Sequence, residues 1–518
     1  MVKSLLLGSA AGLVAVAGAQ AADLPVKAKP VEYVKVCSLY GAGYYYMPGT
    51  DICIKLGGYV RWQITANPGS SITAGPFNGA GGLNNRLTSY ETAQRTRALI
   101  TVDTRQQTAY GTLRTYILLG YSQDSTAPES TSPSVYMTRG FIQIAGFTFG
   151  KATSFFDIVP GASFSYNAGM FFHPDTGDAG KMLASYTAQF GNGVSGTIAL
   201  EQARVRGIGR GAGFAPGTLP TYFGDGGLAG TSDYPDLVGN IRVDQSWGTW
   251  LVGAALHSVR GQYFSPGPNL NNTQNAGGPG SELGWAATTG FIWNLPMIAP
   301  GDRLSAGIVY SVGAIGYAAV TPSGGTYNRF NGSQYSIGFW QDANYETVGL
   351  AAGTCASGGY GGCGSLEMTT AWSMSAAFEH LWTPALRTSW YGSYIDVSNS
   401  AAGNYLQCNG GSAYTSGLPA VSGCNSDWSA WNVGSRTQWE PVKGLIMGID
   451  VIYNKQNTSS PNFANAIALP AGSGLPATTS SAAVCAAGGA GVGPVPCYRA
   501  ADQDAWTGTF RVQRDFLP

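Results

Sequence analysis

Ile54-Lys55-Leu56-Gly57-Gly58-Tyr59-Val60-Arg61-Trp62-Gln63-Ile64-Thr65-Ala66 decides the fold. Ile54, Leu56, Val60, Trp62 and Ile64 share one parity, and Lys55, Tyr59, Arg61, Gln63 and Thr65 share the other. A strand's period of two sends these sets to opposite faces. The next segment repeats the pattern, with Thr96, Ala98, Ile100 and Val102 opposite Arg95, Arg97, Thr101, Asp103 and Arg105. A soluble β-sandwich would alternate in the same way with its apolar face buried, so the sense of the pattern must come from elsewhere.

Composition supplies part of it. Charged residues make up only 11% of the 518-residue chain, against roughly 25% in a soluble domain, while Gly (75), Tyr (28) and Trp (13) are abundant. The 28 basic and 28 acidic side chains balance, which gives no footing for nucleic acid or an acidic polymer as partner. After the first residues every apolar run is broken long before the span of about 20 that a transmembrane helix needs. A membrane protein without helical spans must close its sheet, because hydrocarbon offers no partner to an unpaired strand edge.

The connections supply the rest. Short turns such as Ala145-Gly146, Gly191-Asn192-Gly193 and Thr383-Pro384 alternate with long Gly, Asn, Ser and Pro-rich loops, among them Asn67 to Glu91, Ser154 to Gly180 and Ala318 to Ser365. This rhythm predicts an all-β, transmembrane antiparallel barrel of sixteen strands with short periplasmic turns, long extracellular loops and both ends in the periplasm. The expected strands include Val194 to Arg206 and Asp302 to Tyr317. Gln334 to Trp340 alternates enough to hide a further hairpin, so eighteen strands stay open.

The chain divides into three parts. Lys3, the apolar stretch Leu5 to Gly18 and Ala19-Gln20-Ala21 read as a signal peptide over residues 1–21. Residues 22–53 form a periplasmic N-terminal segment, and 54–518 the barrel. Export brings an oxidising compartment, and spacing suggests four local disulfides: Cys37 with Cys53, Cys355 with Cys363, Cys408 with Cys424, and Cys485 with Cys497. Eight cysteines allow 105 connectivities, so this pairing rests on proximity alone. Neither C-x-x-C nor a neighbouring His marks a metal site.

Three blocks carry a family resemblance. Cys37-Ser-Leu-Tyr-Gly-Ala-Gly-Tyr-Tyr-Tyr-Met-Pro-Gly-Thr-Asp-Ile-Cys53, continuing to Arg61, resembles the N-terminal signature of the alphaproteobacterial general porins. Arg139-Gly-Phe-Ile-Gln-Ile-Ala-Gly-Phe-Thr-Phe-Gly-Lys-Ala-Thr-Ser-Phe-Phe-Asp157 and the terminal Phe510-Arg-Val-Gln-Arg-Asp-Phe-Leu-Pro518 are similar to the same family. The likeness implies an outer-membrane homotrimer of sixteen-stranded barrels. In each, the third long loop folds inward and the water-filled channel passes small hydrophilic solutes and ions by passive diffusion. The expected partners are outer-membrane lipid and lipopolysaccharide, the barrel assembly machinery, which reads an aromatic-rich last strand, and the solutes themselves.

Such a channel needs fixed cations on one wall and carboxylates opposite. Arg61, Arg95, Arg97, Arg114 and Arg139 lie on the lumen parity of the first four strands, and Asp157, Asp175 and Asp178 lie in the third loop. With both signs present the expected ion selectivity is weak. The plainer reading is that the arginines line a solvated interior in local pairs with Asp103 or Glu91.

Other motifs are decoys. Gly359, Gly361 and Gly364 fit G-x-G-x-x-G but lie in a loop beside Cys363, without the strand and helix a nucleotide site requires. His173, His257 and His380 are scattered, and no catalytic constellation or cofactor motif accompanies them. Two rivals remain. A substrate-selective channel, for sugars for example, would use the inward-pointing Tyr59, Tyr116 and Phe141. A secreted all-β enzyme or adhesin would be soluble after export.

Overall fold

The computed structural model describes residues 36–67, 92–125, 134–177, 179–210, 232–261, 263, 278–319, 326–331, 334–345, 365–404, 425–459 and 499–516. Sixteen antiparallel strands close on themselves. They are β1 (Cys53–Ala66), β2 (Thr92–Thr108), β3 (Gly111–Asp124), β4 (Ser134–Ile144), β5 (Phe147–Ala152), β6 (Lys181–Gly191), β7 (Val194–Glu201) and β8 (Asp236–Gln245). The remainder are β9 (Gly248–Arg260), β10 (Ser281–Asn294), β11 (Arg303–Val312), β12 (Thr370–Thr383), β13 (Leu386–Ser398), β14 (Trp428–Val442), β15 (Leu445–Asn457) and β16 (Gln503–Asp515). Closure comes from β1 pairing with β16, from Tyr59↔Asp515 to Ala66↔Gly508, which leaves no open edge in the wall.

The alternation sorts as its chemistry requires. On β1, Val60 and Trp62 are 49% and 38% exposed on the outside, while Gln63 and Thr65 are 2% exposed inside. An outside of Val, Ile and Trp against an inside of Gln, Thr and Arg suits lipid around a polar lumen.

Two expected strand ends change. β7 ends at Glu201 and β11 at Val312, short of Arg206 and Tyr317, because the chain leaves the wall there to turn inward. The hairpin that the alternation of Gln334 to Trp340 left open exists, as Thr326–Asn331 paired with Gln334–Phe339, but it forms a separate sheet with Arg499–Ala500. The wall therefore has sixteen strands, not eighteen.

The N-terminal segment is tied down by the Cys37–Cys53 disulfide, Cα atoms 6.0 Å apart, and by the short strand Tyr45–Tyr46 on β1. The expected signal peptide, residues 1–21, and the expected cysteine pairs at 355/363, 408/424 and 485/497 lie outside the described residues.

The apolar core lies inside the barrel, on one side of it. The third loop, 153–180, runs along the inner faces of β7 to β15. Phe156 packs with Ala199, Val238, Ala255, Ala286 and Val309, and Ile158, Phe164 and Phe171 pack with Leu251, Ala377, Tyr391 and Ile452. Glycines make the approach possible: a Cβ at Gly290 would lie 2.8 Å from Ile158 Cγ2, and one at Gly448 would lie 2.4 Å from the Tyr166 hydroxyl. The inner faces of β1 to β5 stay on the open side, whereas Thr509 on β16 meets the third loop by donating to Asn167 Oδ1 at 3.1 Å.

Candidate functional site

The open side is the basic wall. Cross-strand register places Gln513, Arg61, Arg97 and Ser122 on one lumenal rung and Arg511, Gln63, Arg95 and Asp124 on the next. Arg61 Nε donates to Gln513 Oε1 at 2.8 Å and its guanidinium lies 4.4 Å from the Tyr59 ring centroid. Arg97 Nε donates to Ser122 Oγ at 3.0 Å and lies over Tyr136 at 5.4 Å. Arg95 makes a two-pronged bond to Asp124, at 2.5 and 2.6 Å. Like charges directly opposite on neighbouring strands are destabilising, so the Arg61↔Arg97 pair is a feature that barrel stability alone disfavours.

Lower on the same wall Arg105 faces Arg114 across β2 and β3. Both bridge to Asp103, at 3.2 and 2.8 Å, and this local pairing matches the plainer sequence reading for Arg114. Here the N-terminal segment meets the lumen. Arg105 lies over the rings of Tyr40 and Tyr44 at 5.6 and 5.0 Å. Burial and the Asp103 hydrogen bond push the Tyr44 hydroxyl up to about 12. Tyr44, Lys55, Tyr59, Arg105, Lys443 and Gln513 help line a vestibule of about 1130 Å³ at the short-turn end of the barrel.

The third loop is held against the far wall by charge. At its tip the Asp450 carboxylate accepts from Ser165 Oγ at 2.8 Å, from the Tyr166 backbone N–H and from Tyr391. The Tyr166 ring lies 3.9 Å from the Arg511 guanidinium and 5.3 Å from that of Arg436. Arg436 also donates to the carbonyls of Ala162 and Ser163 and to Glu379.

The loop's own acids are used at its neck. Asp157 pairs with Arg204 at 2.8 Å, with side-chain exposures of 5% and 2%, and accepts from the Thr176 N–H and hydroxyl at 2.7 Å. Burial alone would lower the pKa of Arg204, but its interactions with Asp157, Tyr317 and Glu201 outweigh that and hold the guanidinium above its ordinary value. Asp175 accepts from Gly161 N–H at 3.0 Å and Gly177 N–H at 2.6 Å, and lies 3.4 Å from His173. Burial alone would raise its carboxyl, yet the His173 interaction and these N–H groups hold it below the usual carboxylate range. Arg139 braces the same neck, donating to Thr153 Oγ1 and the Gly177 carbonyl at 3.0 and 2.6 Å.

The expected facing of arginine wall and loop acids is thus redrawn. Arg61, Arg95, Arg97 and Arg114 share one wall, and Arg139 is joined to the loop. Asp157 and Asp175, their side chains 5% and 14% exposed, are taken up in the loop's anchorage, because charge-assisted bonds to loop N–H groups and Arg204 satisfy their carboxylates there. Asp178 lies outside the described residues. Sequence reasoning missed Arg511, Arg436 and Asp450 as site residues, although each occupies the lumen parity of its strand.

Comparison with known proteins agrees with this geometry. The family model described as Porin subfamily matches residues 23–484. The chain belongs to that family. Porin Omp2b of Brucella melitensis is 34% identical over 276 residues, covering 50% of this chain and 66% of that protein. Porin Omp2b of Brucella canis is 35% identical over the same length and shares. The matched stretch therefore spans just under two thirds of these relatives. The outer membrane channel DcaP of Acinetobacter baumannii, 11% identical, superposes with a TM-score of 0.51 over 91% of this chain and 99% of that one, a likeness of fold. The porin is an outer-membrane β-barrel.

Proposed function

We propose that this porin is a water-filled channel for passive diffusion of small hydrophilic solutes and ions, with no catalytic role. The observation that carries this reading is the division of the interior. A loop anchored at Asp450 fills the side of β7 to β16, and an arginine-lined path remains along β1 to β4. Withdrawal of Asp157 and Asp175 from the lumen shifts the expected weak selectivity toward anions. Planar-bilayer recordings with neutral sugars of increasing size test the channel: a smooth fall in current with solute size supports it, and saturable block by one sugar favours the substrate-selective rival.

The outer surface supports a homotrimer. Toward the extracellular end, neighbouring rings such as Trp285 with Tyr310, Trp372 with Tyr394, and Tyr453 with Trp506 belt β10 to β16, as side chains at a lipid headgroup region do. β2 to β4 instead present Ile100, Ile117, Leu119, Val135 and Met137 with Tyr121, a mainly aliphatic face suited to a neighbouring copy. In this reading lipid and lipopolysaccharide surround the aromatic belt, and the barrel assembly machinery engages β16. Mass measurement of the detergent-extracted, unheated protein tests the trimer, and a monomeric mass would refute it.

A further inference from the structure

The upper inner faces of β12 to β14 do not look like the wall of a water channel. Ala371, Ile395, Val397, Trp428 and Ala430 all point inward and are 0–3% exposed. Lower on the same strands the inward residues are Glu379, Ser389 and Arg436. A lumen face of this composition would be poorly solvated if water reached it, so it is built to be covered.

Its cover is the chain between β11 and β12, which the sequence presents as a surface loop. Every residue from Ser336 to Tyr345 is buried, and Trp340, Ala343 and Tyr345 are fully so. Trp340 and Tyr327 join Trp428, Ile395 and Val397 in one cluster, with the Tyr327 and Trp428 rings stacked at 5.4 Å. Trp428 Nε1 donates to the Phe339 carbonyl at 2.9 Å, and Ser373 Oγ donates to the Ala318 carbonyl.

Asp342 pins this lobe to the opposite inner face. It accepts from Arg206 N–H at 2.6 Å and Ile315 N–H at 3.0 Å, and lies 3.6 Å from His257 Nε2 on β9. His257 Nδ1 in turn lies 2.7 Å from Asp236 on β8. The lobe also rests on the third loop, through Phe172 against Tyr327 at 5.7 Å and Phe156 against Tyr317 at 4.7 Å.

We infer that this inward lobe of the sixth loop is a second constriction, stacked on the extracellular side of the third loop, and that it sets the channel's size limit. The inference rests on the diffusion-channel reading and deepens it: the basic wall governs charge, and the lobe governs size. Because it bears on the third loop through Phe172 and Phe156, it also steadies that loop beneath it.

Two experiments test it. Asp342→Asn and Trp340→Ala, in barrels shown to be folded by heat-modifiable migration, are expected to raise single-channel conductance and shift the exclusion limit to larger polyethylene glycols, with reversal potential unchanged. Conductance and exclusion limit equal to the native protein's would overturn the inference. Where those variants fail to fold, Ser373→Cys probes the cover directly and needs no conductance, so its result stands apart from the diffusion reading. A charged maleimide should label it at least roughly tenfold more slowly than Ser134→Cys at the exposed outer end of β4, the factor corresponding to about 1.4 kcal/mol of preference for the covered state. Equal labelling, after correction for the native chain, would overturn the lobe's placement.

Discussion

Asp450 on β15 and Ser165 at the tip of the third loop, 285 residues apart in sequence, are joined by a 2.8 Å hydrogen bond inside the barrel. The same carboxylate takes the Tyr166 N–H and the Tyr391 hydroxyl, so one acid fixes where the loop crosses the lumen. Hydrogen bonds to a charged group contribute about 1.5–3 kcal/mol each. Asp450→Ala should therefore release the tip, and single-channel records should show larger and noisier conductance steps. Asp450→Asn keeps an acceptor and should fall between the two. Native conductance and noise in Asp450→Ala would mean that the loop is held elsewhere.

The neck responds differently, because its acid has a buried cation for a partner. Removing one member of a buried ion pair costs about 3–5 kcal/mol through the charge left behind. Asp157→Asn should lower the temperature at which the folded band converts to the unfolded one. Replacing both partners, as in Asp157→Asn with Arg204→Met, should cost less than the two single changes added together. Strict additivity would show that Asp157 and Arg204 are not energetically coupled.

Ion selectivity separates the sequence reading from the structural one. If the loop carboxylates faced the lumen, neutralising Asp175 would move the reversal potential toward anions. With Asp175 bound to Gly161 and Gly177, Asp175→Asn should leave the potential where it is, whereas Arg61→Ser and Arg97→Ser should each move it toward cations. Reversal potentials in a salt gradient at low ionic strength, where screening is weakest, provide the measurement.

The wall was legible because the two solvents of a barrel impose a period of two on every strand. β15, Leu445–Asn457, keeps that period along most of its length. The interior was less legible, since its partners are distant in the chain: Asp157 and Arg204 are separated by 47 residues, and Trp428 and Phe339 by 89. Parity marks Asp450 and Arg436 as inward but does not say that a loop will occupy the space in front of them. Ile395, Val397 and Trp428 give a local hint, as apolar residues on a face that should be polar.

Acid should act on the third loop through Asp175. Its carboxyl is held below the ordinary range near 3.9 in the folded state. The resulting stabilisation is complete above the unfolded-chain value and is lost as pH falls through the lower, folded-state value. Protonation there weakens the bonds from Gly161 and Gly177 that close the neck. Conductance should hold steady from neutral pH to about 4 and become noisy below it, within the range where the barrel remains folded. Asp175→Asn already lacks the charge, so its noise should not change over that interval. An acid transition of the same size in Asp175→Asn would assign the effect to another group.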